Sequence, residues 1–107
     1  MSDILRRVQA LVRNGDYIVS RHGFRELAAD DIITEDALIG VETAVVVEEY
    51  PDSRKEPSVL ILHNDRDGRP VHVMWGIPKN AGRPAILVTA YRPTPERWTK
   101  DFKRRIR

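Results

Sequence analysis

The hydrophobic period of this chain changes once, near residue 43, and that change constrains the fold more than any other feature. Before it, Ile4, Leu5, Val8, Leu11 and Val12 fall on one stripe at helical spacing. Ser2 or Asp3 can cap the start of that helix, and Asn14-Gly15 ends it. Tyr17 to Ser20 reads as a short extended link. Ser20 can then cap a second helix running to Ala29, with Phe24 and Leu27 facing inward. Gly23 lowers the helical tendency there by about 1 kcal/mol relative to alanine. Thr34 can cap a third helix, Glu35 to about Val41, whose Glu35 and Asp36 suit the positive end of a helix dipole.

After the change come four apolar runs of strand length, at 44–50, 59–63, 70–76 and 85–91. The turn cluster Asn64–Gly68 joins the second run to the third as a hairpin, and a Pro/Gly loop fills 77–84. Thr94-Pro95 predicts the start of a last, basic helix with Trp98, Phe102 and Ile106 on one face. Helices followed by hairpin-linked strands predict an α+β fold in a single domain over 1–107. Its N-terminal helices pack on one face of a four-stranded, mainly antiparallel sheet, with a C-terminal basic helix. The other face of such a sheet can stay open.

Several function classes drop out on composition. The chain has no cysteine, which removes disulfides, thiol catalysis and thiolate zinc sites. No apolar run approaches the roughly 20 residues of a membrane span, and the N-terminus lacks an apolar signal segment, so a cytoplasmic protein is expected. The three histidines, His22, His63 and His72, lack metal-ligand spacing, and no nucleotide-loop or hydrolase motif occurs; neither metal nor cofactor is expected. Charge is unevenly spread. Residues 26–56 hold ten acidic and two basic groups, whereas 92–107 hold seven basic and two acidic. That asymmetry suits one surface to an anion and another to a cationic partner, although a basic tail is also an ordinary solvated surface.

Strand parity sorts the candidate site residues. In 70–76, Val71, Val73 and Trp75 share one face and His72 and Met74 the other; in 85–91, Ile86, Val88 and Ala90 share one face and Leu87, Thr89 and Tyr91 the other. The all-apolar sets should meet the helices, leaving His72, Thr89 and Tyr91 on the open face. A buried, hydrogen-bonded His72 and a Tyr91 that only closes the core are the alternatives. His22 sits at the start of the second helix, where the helix dipole favours a neutral imidazole able to act as a base; a local structural histidine is the alternative. His63 reads as structural.

Ser20-Arg21-His22, then Pro70-Val71-His72-Val73, then Val88-Thr89-Ala90-Tyr91-Arg92-Pro93 and Trp98 together resemble a bacterial family, domain of unknown function 4258, over about Tyr17 to Trp98. The chain departs from that family's pattern at Glu26 and Asp30, where arginines are common. The resemblance implies a RelE-like fold among the small ribonuclease folds of toxin–antitoxin pairs. It implies metal-independent RNA cleavage by 2′-hydroxyl attack, a cognate small antitoxin as partner, and a monomer or weak homodimer. In that chemistry His22 and His72 supply base and acid, in either order. Arg25, Arg21 or Arg92 holds the phosphate. Tyr91 stacks on a base or donates to phosphate, Ser20 and Thr89 line the site, and Lys100, Lys103, Arg104, Arg105 and Arg107 attract the RNA backbone. The rival expectation is a non-catalytic module that binds nucleic acid or protein on the same fold.

Overall fold

The computed structural model describes residues 2–53 and 56–106. Helix α1 spans Asp3–Arg13, and its stripe buries Ile4, Leu5 and Val8 while Ser2 Oγ accepts the Leu5 N–H at 3.0 Å. Strand β1, Tyr17–Val19, leads into α2, Arg21–Ala29, capped by Ser20, whose Oγ accepts the Gly23 N–H at 2.9 Å. Helix α3, Thr34–Ile39, is shorter than expected and passes into a 3₁₀ turn, Gly40–Thr43; its cap position is Ile33, not Thr34. Strands β2 (Val45–Tyr50), β3 (Ser58–Asn64), β4 (Pro70–Gly76) and β5 (Ala85–Tyr91) follow.

Among the described residues the sheet has five strands, not four, in the order β1-β5-β4-β3-β2. The added strand is the stretch read as a link: β1 pairs in parallel with β5, Tyr17 opposite Ala85 and Val19 opposite Leu87. All other neighbours are antiparallel, and the Asn64–Gly68 turn closes the β3–β4 hairpin. Helices α1 and α2 share one core with Val59, Ile61, Val71, Val73, Trp75, Leu87 and Ala90.

Two expectations about this core are corrected. Phe24 is 65% exposed, because Gly23 and Leu27, four residues apart, take the inward face of α2. The β5 parity is inverted over its first half. Met74 pairs with Thr89 but Trp75 pairs with Leu87, so Val88 is an extra, bulged residue, and Leu87 and Ala85 enter the core in place of Val88 and Ile86. A second irregularity, between Val46 and Glu48, leaves Val47 unpaired and sets Glu48 opposite Leu60.

Among the described residues the C-terminal helix is absent. Residues 97–106 instead fold back as an irregular hairpin, with Thr99 N–H on Arg104 O and Ile106 N–H on Arg97 O, both at 2.8 Å. A helix would have placed Trp98, Phe102 and Ile106 in one apolar seam. Here Trp98 alone is buried, against His72, while Ile106 is 49% exposed and Phe102 takes a φ of +60°, which no helix contains. Among the described residues, no helix is long and apolar enough to cross a membrane.

Candidate functional site

The register sets one row of side chains on the sheet face away from α1 and α2. Leu62 lies opposite His72, and His72 opposite Tyr91; beside them Leu60, Met74 and Thr89 form the next row. The C-terminal hairpin lies over part of this face. His72 is therefore 0% exposed. Its Nε2 lies 2.8 Å from Phe102 O and its Nδ1 3.1 Å from Tyr91 Oη. Tyr91 and Trp98 meet the imidazole edge-on, with centroids at 5.2 and 4.4 Å. Burial pushes the His72 pKa down, against opposing pulls from the Phe102 carbonyl and Glu48. Burial also pushes the Tyr91 phenol up to about 12.

Beside this pair the face opens into a groove of about 420 Å³, bounded by Leu60, Met74, Thr89, Tyr91, Trp98 and the guanidinium-bearing residues Arg92, Arg97 and Arg105. Arg105 bonds Glu48 through Nε and Nη2 at 2.8 and 3.1 Å and lies 4.8 Å from the centroid of the Trp98 ring. Glu48 also accepts the Tyr50 hydroxyl, and the Arg105 contact holds its carboxyl below the usual range. Arg97 is exposed and, among the described residues, has no carboxylate partner. The groove thus joins an apolar floor, the hydroxyls of Thr89, Tyr91 and Thr94 and a surplus of positive charge, which suits a phosphate-bearing ligand with a planar base.

The sequence-derived candidates divide between this groove and other places. His72, Tyr91, Thr89 and Arg92 come together. Arg92, however, is committed to structure: its N–H donates to Asp30 Oδ2 at 2.8 Å, its side chain to the Asp30 and Asp31 carbonyls at 3.0 and 3.1 Å, and its Nη1 lies 3.0 Å from Asp65. Asp30, the departure from the family pattern, is thus the partner of Arg92. His22, Arg21 and Arg25 are exposed on α2, outside the groove. Gly23, beside His22, packs on Leu87 at the helix-covered face, so His22 and His72 belong to opposite faces of the sheet. Ser20 donates to Val88 O at 3.1 Å and caps α2. Lys100 and Arg104 border a separate concavity with Thr99 and Asp101, and Lys103 stands beside Val47 and Glu48. Of the groove's arginines, Arg105 was expected only as part of a diffuse basic tail and Arg97 was missed; the Trp98-to-Arg105 pairing that brings both to the groove has no local signature.

A family model described as a domain of unknown function, DUF4258, matches residues 19–92. The chain belongs to the DUF4258 family. No curated protein and no solved structure matches it. The DUF4258 match includes His72, Thr89, Tyr91 and Arg92 but ends before Arg97, Trp98, Phe102 and Arg105, so the hairpin that completes the groove lies beyond the matched residues.

Proposed function

We propose that this DUF4258 protein is a toxin-type, metal-independent endoribonuclease of RelE-like descent that takes RNA in the arginine-bordered groove. The observation that carries the reading is the Tyr91–His72 hydrogen bond beside Arg97 and Arg105. With its pKa raised to about 12, the Tyr91 phenol stays protonated at neutral pH, and the neutral hydroxyl alone is a poor base. His72 behind it changes that. As Tyr91 Oη takes the proton of an RNA 2′-hydroxyl, its own proton passes to His72 Nδ1. The 2′-oxygen attacks the adjacent phosphorus and the P–O5′ bond breaks. The products are a 2′,3′-cyclic phosphate and a 5′-hydroxyl that takes its proton from solvent, and His72 returns its extra proton through Tyr91 to solvent. Arg97 and Arg105 neutralise the charge that builds on the phosphorane, a contribution of roughly 10²–10³ in rate per well-aimed donor. His22 and Arg25 have no part in this version, since they do not border the groove.

The burial of His72, with both ring nitrogens engaged, favours a second reading: the groove binds RNA and the imidazole only braces the sheet. One experiment separates the two. Purified protein in excess chelator is incubated with a mixed-sequence single-stranded RNA and, separately, with its 2′-deoxy counterpart. Cleavage of the RNA alone to cyclic-phosphate ends, lost in Tyr91→Phe, is expected. Binding without cleavage would leave the module reading. Arg97→Ala should weaken RNA binding and lower the slope of log K against log salt by about 1 in either case.

A further inference from the structure

Phe102 stands at the tip of the C-terminal hairpin with φ +60°, a conformation far more accessible to glycine or asparagine than to an aromatic residue. The tip is tied around it. Asp101 Oδ1 accepts the Thr99 hydroxyl at 2.7 Å and the Lys103 N–H at 3.0 Å, and the Phe102 N–H donates to Thr99 O at 2.8 Å. The result is the direction of one carbonyl. Phe102 O is aimed back at the sheet, 2.8 Å from His72 Nε2. A carbonyl only accepts, so Nε2 carries the proton, and in the neutral ring Nδ1 offers its lone pair to Tyr91 Oη.

We infer that Phe102 is a positioning residue: its left-handed backbone locks His72 in the Nε2–H tautomer and so makes Nδ1 the proton acceptor for Tyr91. The inference rests on the Tyr91–His72 reading above and deepens it. The backbone carries the effect. Replacements should therefore rank by their tolerance of positive φ rather than by size or hydrophobicity. Glycine is accommodated, whereas a β-branched residue is not.

The test follows the His72 imidazole Hε2 proton by NMR in the full chain at pH 7.5, with circular dichroism as a fold check and RNA cleavage measured in parallel. In the wild type and in Phe102→Gly, Hε2 should exchange slowly with solvent. In Phe102→Ile it should exchange about tenfold faster or more, with kcat for RNA lowered and KM little changed. Asp101→Ala, which loosens the tip without touching Phe102, should also speed exchange and keeps the test open if Phe102→Ile fails to fold. Wild-type exchange in both Phe102→Ile and Asp101→Ala overturns the proposal, as does fast exchange in Phe102→Gly. A wild-type chain that cleaves no RNA overturns the ribonuclease reading alone, because the exchange rates judge the positioning role independently.

Discussion

Tyr91 and His72 are direct partners across the antiparallel β4–β5 pair, and the phenol oxygen stands 3.1 Å from Nδ1 of the imidazole. Cross-strand partners share a face, so the ladder itself delivers this hydrogen bond. Tyr91→Phe keeps the ring and removes the hydroxyl. Cleavage should fall by about 10²–10⁴, the usual contribution of a placed acid or base, while RNA affinity changes little. The buried Nδ1 loses its partner, at a cost of about 1–3 kcal/mol. A gel assay of cleavage and a urea titration check the two effects separately; full cleavage by the variant would refute the role.

Histidine burial sets the pH dependence of stability. Burial lowers the pKa of both His63 and His72 from the ordinary 6.5. Below that value the unfolded chain takes up protons that the folded chain refuses. Stability is thus fully present above about pH 6.5 and declines as pH falls below it, by at most ~1.4 kcal/mol per unit for each histidine until its folded-state pKa is reached. Urea midpoints at pH 7.5 and 5.5 should differ in that direction, and His63→Gln should reduce the difference. Equal midpoints would contradict this account.

Gly23→Ala sets helix propensity against packing. Propensity alone favours alanine by about 1 kcal/mol. A Cβ at Gly23, however, would stand 2.6 Å from Leu87 O, a backbone atom of a central strand that cannot step aside. Overpacking of this kind costs about 1–3 kcal/mol, so the variant should be the less stable protein. Gly40→Ala should be worse, since its Cβ would fall on the imidazole ring of the buried His63. Thermal unfolding decides the sign, and a raised midpoint for Gly23→Ala would show that α2 can lift off β5.

Arg92 joins three parts of the fold: the end of α2 through Asp30 and Asp31, the β3–β4 turn through Asp65, and the end of β5. Its side chain is largely buried. Arg92→Ala should cost about 2–3 kcal/mol and leave Asp65 and two carbonyls short of a donor. Lysine should rescue little, because a single ammonium cannot serve the same spread of acceptors. Denaturant titration of the two variants tests this; full rescue by lysine would mean that charge alone matters.

The amphipathic stripe of α1, the serine cap of α2, the strand runs of β2 to β5 and the β3–β4 turn were all legible, because each is decided by interactions a few residues apart. The same parity rule set His72 and Tyr91 on one face. It failed at Val88, where a bulge turns Leu87 inward, and bulges answer to the fit of the whole core rather than to the local pattern. Tyr17–Val19 became a strand only because β5 offers it an edge, and the C-terminal segment became a hairpin because Trp98 found His72 to cover. Local periods and caps are short-range energies written in neighbouring residues. The groove, its arginines and the state of His72 arise from contacts between residues far apart in the chain, and those energies exist only once the chain has closed.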